Sequence, residues 1–161
     1  MMNTGSAGKI NLESIERERV QELLERLGPH KVASCFMCRT CSASCPVTMV
    51  GSRFNPLKII RMVHYGLLEE VLSGESVWLC TSCYSCQERC PQGIHITDFM
   101  TALKNMAVKQ GHAPAGIRAQ MDIVKQAGRI YPLDDFDNKK RAKAGLPELP
   151  TSCDVIKELL G

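Results

Sequence analysis

Nine of the 161 residues are cysteine, and eight of these fall into two short runs. The first reads Cys35-Phe-Met-Cys38-Arg-Thr-Cys41-Ser-Ala-Ser-Cys45-Pro46. The second reads Cys80-Thr-Ser-Cys83-Tyr-Ser-Cys86-Gln-Glu-Arg-Cys90-Pro91. Both have the form C-x2-C-x2-C-x3-C-P, and every cysteine and proline of the first recurs 45 positions later in the second. A [4Fe–4S] cube presents four irons, each needing one thiolate. Cysteines three residues apart let one loop wrap a corner of the cube and deliver three ligands. The fourth then points away, and in two-cluster ferredoxins with this spacing it ligates the other cluster. The proline that follows keeps Cys45 and Cys90 out of the helical region and turns the chain out of the loop. Applied here, the rule assigns Cys35, Cys38, Cys41 and Cys90 to one cluster, and Cys80, Cys83, Cys86 and Cys45 to a second.

Zinc also takes C-x2-C pairs, so two zinc sites are the plain alternative. That reading leaves the third cysteine of each run and the proline after the fourth without a role, and iron–sulfur is preferred. A Rieske centre needs two histidines in place of two cysteines. His95 lies near the second run, but eight cysteines already satisfy two cubes. His30, His64, His95 and His112 read as surface or packing residues, Trp78 as a packing residue near Cys80, and Cys153 as a free thiol beside a C-terminal helix.

Composition narrows the setting. Hydrophobic residues make up 44%, enough for a folded core, while aromatics are only 5%. The length suits one domain or two small lobes. An odd cysteine count, below the density of a disulfide scaffold, argues for metal or redox use. Residues 1–10 carry no apolar leader segment, and no stretch of about 18 uncharged apolar residues occurs. The expectation is a cytoplasmic chain with reduced thiols and no membrane span. The net charge of +3 (20 basic, 17 acidic) is too mild for nucleic-acid binding. Eight thiolates and two oxidised cubes would take the loaded chain to about −1.

The elements that must hold the cysteines read as helices. Residues 1–10 look like a polar tail. A helix is expected over 12–27, with Leu12, Ile15, Leu23, Leu24 and Leu27 on one face, Asn11 as its cap, and Gly28-Pro29 as its stop. A second, broadly apolar helix should run from Asn55-Pro56 to Leu72, weakened slightly by Gly66. A third should begin near Thr97-Asp98, turn Phe99, Met100, Leu103, Met106 and Ala107 inward, and end at Gly111. A fourth should span 115–127 and end at Gly128. Residues 131–150 read as an extended surface segment, with Lys139, Lys140, Arg141 and Lys143 as a solvated basic face. Thr151 or Ser152 should cap a last short helix to Leu160. Strand signals are nearly absent, so the fold class is all-α, with long irregular loops around 30–55 and 78–97. Three regions follow: an N-terminal tail and helix (1–29), a two-cluster domain (30–128) and an extended C-terminal segment (129–161).

No Gly-x-Gly-x-x-Gly follows a strand, no Cys-Cys-Gly element occurs, and no catalytic triad or paired carboxylates can be read from spacing. The chain reads as a wire without its own substrate site. The 34 residues between Cys45 and Cys80, with their long helix, resemble the α-helical ferredoxin fold of succinate dehydrogenase and fumarate reductase iron–sulfur subunits. Within that fold the chain resembles the C-subunit family of heterodisulfide reductase. The matching segments are 55–62, 78–91, 96–99, 103–109 and Gly145-Leu-Pro-Glu-Leu-Pro150.

The resemblance implies an electron relay from a flavin-containing iron–sulfur subunit to a separate catalytic subunit. That catalytic subunit carries Cys-Cys-Gly motifs and reduces the CoM–CoB heterodisulfide. A hydrogenase or formate dehydrogenase can join the larger assembly, and bacterial relatives serve other substrates. A free-standing diffusible ferredoxin is the competing use of the same cysteines, although such carriers are usually smaller and more acidic.

Overall fold

A computed structural model describes residues 17–26 and 32–160 of the chain. Two compact units divide at His112 and Ala113. Among the described residues every regular element is helical, as the sequence predicts.

In the first unit, α1 covers Arg17–Arg26. Leu12, Ile15 and Leu27, with the expected cap Asn11 and the stop at Gly28-Pro29, lie outside the described residues. So do the polar tail and His30. Val20 and Leu23 are buried, and Leu24 packs against the core.

The two expected irregular loops contain short helical turns. The first holds a 3-10 turn (Val32–Ser34), α2 (Thr40–Ala43) and α3 (Pro46–Val50). The second holds a 3-10 turn (Ser76–Leu79) and α6 (Ser85–Glu88).

The helix expected from Asn55-Pro56 to Leu72 is two helices, α4 (Pro56–His64) and α5 (Leu68–Leu72). Its start is as predicted: Asn55 Oδ1 accepts a hydrogen bond from the Lys58 backbone N–H at 3.0 Å, and Pro56 takes the first position. The break is at Gly66, which adopts φ 81°. Gly66 N–H donates to the Val63 carbonyl and Leu67 N–H to the Met62 carbonyl, the paired bonds of a Schellman stop. Gly66 is therefore a helix terminator rather than a weak interior position.

α7 (Ile96–Lys109) ends the same way at Gly111, φ 80°. Leu57, Ile60 and Val63 of α4, Leu68 and Leu72 of α5, and Phe99, Met100 and Leu103 of α7 supply most of the core. Removing one such side chain costs about 2–5 kcal/mol. Glu69 on α5 lies 3.0 Å from His112 and 3.7 Å from Arg19, tying α1, α5 and the end of α7.

The second unit contains α8 (Ala115–Ala127), α9 (Asp135–Lys143) and α10 (Asp154–Leu160). α8 and its stop at Gly128 (φ 65°) match the sequence expectation. α9 corrects it, because a helix stands inside the segment read as extended. A reciprocal capping box nucleates it: Asp134 Oδ1 accepts from Asp137 N–H, and the Asp137 carboxylate accepts from Asp134 N–H. Lys140, Arg141 and Lys143 sit in its last turn, where cations favour the helix dipole. No α9 side chain is buried, so no apolar periodicity betrays it. After α9 the chain is extended and clamped back: the Asn138 side-chain amide both donates to and accepts from the Leu149 backbone. α10 packs on α8 and starts two residues beyond Ser152, whose hydroxyl donates to the Asp154 carboxylate.

Candidate metal centres

Each cysteine run turns by the same device. Met37 (φ 61°) and Arg39 (φ 69°) flank Cys38 in the left-handed region, and Ser82 (φ 54°) and Tyr84 (φ 63°) flank Cys83. These four are the non-glycine residues with positive φ among the described residues, and they are related by the same 45-residue repeat. Each costs roughly 1–2 kcal/mol, so the strain is concentrated around the second cysteine of each run. A short helix follows at once, α2 after Arg39 and α6 after Tyr84, and carries the third cysteine. α2 and α6 pack against each other.

The thiols ring two small cavities. One is lined by Cys35, Cys38, Cys41 and Cys90, with Leu57, Ile60 and Ile94 among its apolar walls. The other is lined by Cys80, Cys83, Cys86 and Cys45, with Val47, Phe54 and Met100. Each cavity thus gathers three cysteines of one run and the last cysteine of the other. Ile96, 2% exposed, lines both and stands between them. None of the nine cysteines is in a disulfide.

Four thiols around a largely apolar cavity are the donor set that a [4Fe–4S] cube takes, and the residues present fit that group.

Electrostatics divide the thiols. Cys38 Sγ lies 3.3 Å from Thr40 Oγ1, and Cys83 Sγ lies 3.6 Å from Ser85 Oγ. Hydrogen bonds from these hydroxyls and their backbones hold both thiols below their usual range. Burial pushes Cys41 up, and pushes Cys86 up to about 11 despite Thr97 Oγ1 at 4.0 Å. Metal binding requires thiolates, so the exposed pair forms them more readily than the inner pair, which burial holds protonated to higher pH.

Further side chains fix the runs to the helices behind them. The Ser42 hydroxyl donates to Asn55 Oδ1 (2.7 Å), tying α2 to the cap of α4. The Gln87 side-chain oxygen accepts from Thr97 N–H (3.3 Å), tying α6 to the start of α7. Lys104 Nζ donates to the Cys80 carbonyl at 2.8 Å. Sequence reasoning does not single out Thr40, Ser85, Ile96, Thr97 or Lys104 for the site. Superposing the runs exposes the hydroxyl pair, since Cys-x-Thr and Cys-x-Ser occupy one register; nothing in the pattern marks Lys104.

The remaining candidates have ordinary surroundings. His95 Nδ1 pairs with Asp98 and His112 Nε2 with Glu69, both at 3.0 Å. Burial lowers the pKa of His64. Trp78 packs against the core. Cys153 is half-buried in the second unit, its backbone N–H donating to the Ala127 carbonyl. Lys140 stands over the Phe136 ring at 4.3 Å, and Arg141 Nε donates to the Pro147 carbonyl. No helix among the described residues is long and apolar enough to cross a membrane.

Known proteins resemble this chain over most of its length. Residues 15–94 match the model of a 4Fe-4S dicluster domain. The iron–sulfur C-subunit of the CoB–CoM heterodisulfide reductase of Methanopyrus kandleri is 34% identical over 143 residues, covering 89% of this chain and 74% of that protein. The C-subunit of the ferredoxin:CoB-CoM heterodisulfide reductase of Methanosarcina mazei is 40% identical over 129 residues, 80% of this chain and 79% of its own length. A protein of Archaeoglobus profundus described as like the heterodisulfide reductase C-subunit is 30% identical over 160 residues, 94% of this chain and 84% of that protein. With both cysteine runs inside the matched dicluster domain and relatives aligned over most of both lengths, the chain belongs to the iron–sulfur C-subunit family of heterodisulfide reductase.

Proposed function

We propose that the chain relays electrons between a flavin-containing subunit and a catalytic subunit that reduces the CoB–CoM heterodisulfide. It uses two [4Fe–4S] clusters and has no substrate site of its own. The first cluster takes Cys35, Cys38, Cys41 and Cys90; the second takes Cys80, Cys83, Cys86 and Cys45. A hydrogenase or formate dehydrogenase completes the larger assembly, in a cytoplasm that keeps the thiols reduced. One observation carries the reading: two neighbouring cavities, each ringed by four cysteines drawn three-and-one from the two runs, share the wall residue Ile96. The relatives supply the reaction, since their names carry the CoB–CoM heterodisulfide.

When bound, each cube takes up and releases one electron, at a potential set by hydrogen bonds, burial and nearby charge. The chain's own residues prepare that environment. Thr40 and Ser85 donate to the thiolates of Cys38 and Cys83. Apolar walls exclude water, and Lys104 fixes the Cys80 carbonyl while placing a positive charge beside the second cavity. Ile96 lines both cavities.

The test is anaerobic purification with the neighbouring subunits. The expected product is a brown complex with about eight irons on this chain, reduced through the flavin-containing subunit and reoxidised by the heterodisulfide. Two zinc atoms in place of iron, or a chain that carries electrons with no larger subunit attached, overturns it.

A further inference from the structure

Beside the first cysteine cavity lies an open groove. One wall is a face of α4, with Leu57, Lys58, Arg61 and Tyr65 at helical spacing; the other is Arg39 and Ser42 at the start of α2. Its lining includes three cations and no carboxylate. Arg39, Lys58 and Arg61 are all exposed, and none has a carboxylate partner among the described residues. This contrasts with Arg19 and Arg53, which lie beside Glu69 and Glu75. Leu57 and Leu67 add apolar lining, and Tyr65 is 55% exposed with Arg61 at 5.8 Å from its ring. Asn55 spends its side-chain oxygen on Ser42 and Lys58, which leaves its amide nitrogen as a donor at the lip.

Arg39 and Leu57 line both this groove and the first cysteine cavity. A segment seated in the groove is therefore separated from that cavity by a single layer of side chain. Unpaired cations on one wall call for carboxylates on the partner, and the apolar lining holds the segment's stem. We propose that this groove is the port at which an acidic segment of an electron-exchanging partner protein docks, so that electrons pass to or from the first cluster there. The proposal rests on the relay reading above and adds to it which cluster faces the partner and what recognises it.

Carbodiimide coupling of the intact, iron-loaded complex tests it. Lys58 should couple to an Asp or Glu of a partner subunit, identified by peptide mass spectrometry. Paired reversal, Lys58→Glu with Arg61→Glu, should weaken association ~10-fold or more and flatten its salt dependence, with iron content and cluster EPR unchanged. Reversing the coupled partner carboxylate to lysine should restore binding. Glu at position 58 sits in the first turn of α4, where the helix dipole tolerates it, and Lys58→Ala with Arg61→Ala gives a milder loss if the reversal misfolds.

If the complex assembles and conducts but Lys58 couples to nothing and both variants bind as wild type, the port is elsewhere and the relay stands. If inorganic phosphate protects Lys58 in the complex as well as in the isolated chain, the groove takes a small anion and the docking proposal falls. A chain without clusters or partners overturns the relay reading and this proposal together.

Discussion

The two cysteine runs are copies in their inner geometry and different in how they are anchored. Both turn through two left-handed residues, both follow with a short helix, and both set a hydroxyl two positions beyond the second cysteine. They part after the fourth cysteine. In the first copy, Cys45 leads into α3 and α4 begins only at Pro56; in the second, no helix intervenes between Cys90 and α7 at Ile96. α4 is capped by Asn55, whose oxygen also receives Ser42 from α2. α7 has no side-chain cap from His95, and Gln87 of α6 reaches across to supply the acceptor. Ser42 and Gln87 are themselves 45 positions apart. The thiols must meet fixed directions, so the backbone around them repeats; the contacts behind need only be firm, so they diverge.

The strongest way to break the equivalence is to remove the exposed second cysteine from each copy. Cys38→Ala and Cys83→Ala should each lower anaerobic iron content from about eight to about four or fewer, with loss of one EPR signal. Because each cavity borrows a cysteine from the other run, the surviving cluster should be more labile to chelators. A full two-cluster spectrum in either variant would show that its ligand is dispensable and the copies are not alike.

The anchors should differ by smaller amounts. Asn55→Ala removes a helix cap and the acceptor for Ser42, and should cost about 1–2 kcal/mol. Gln87→Ala loses one longer bond, at 3.3 Å, and should cost about 1 kcal/mol or less. Chemical denaturation of the loaded chain ranks the two. An equal cost would mean that the second copy leans on its cross-helix bond as heavily as the first leans on its cap.

Legibility from sequence follows the same division. The cysteine set, the cap at Asn55, the stop at Gly111 and the helical class are written locally, by residue type and spacing. The break at Gly66 escapes the pattern because the segment from Leu57 to Leu72 is broadly apolar, and periodicity alone does not locate a glycine that stops a helix. α9 escapes it for the opposite reason: it buries nothing, and its signal is only Asp134 with Asp137 ahead of a basic run. Thr97 lies by Cys86 and Lys104 bonds the Cys80 carbonyl from a helix 11 or more residues away in sequence, and no spacing rule announces such contacts.

Titration separates inner from outer thiols more finely. In the metal-free chain Cys38 and Cys83 have lowered pKa values, so more thiolate is present at a given pH and both should alkylate first near pH ~7–8. Thr40→Val and Ser85→Ala should slow them to a similar degree. Cys86, raised to about 11, should react slowly until the pH approaches that value. Its folded pKa lies above the ordinary 9.0, so its contribution to stability is present below pH 9 and is lost as pH rises towards about 11. Site-resolved alkylation with mass spectrometry reads the reactivity order and its response to the variants. Unequal slowing by the two hydroxyl variants would locate the first functional asymmetry at the metal side of the repeat.

The smallest expected effect lies outside both copies. Cys153 sits where α10 meets the end of α8, and its carbonyl and β-carbon stand where a side chain at Gly128 would have to go. Its thiol lines neither cysteine cavity. Cys153→Ala should therefore leave iron content, EPR and electron transfer as they are, and change stability by about 0.5 kcal/mol or less. Gly128→Ala, by contrast, meets both a left-handed backbone and that carbonyl, and should loosen α10 while the clusters stay intact. Loss of iron in Cys153→Ala would bring the ninth cysteine into the metal chemistry and end the four-and-four division on which the comparison of the two copies rests.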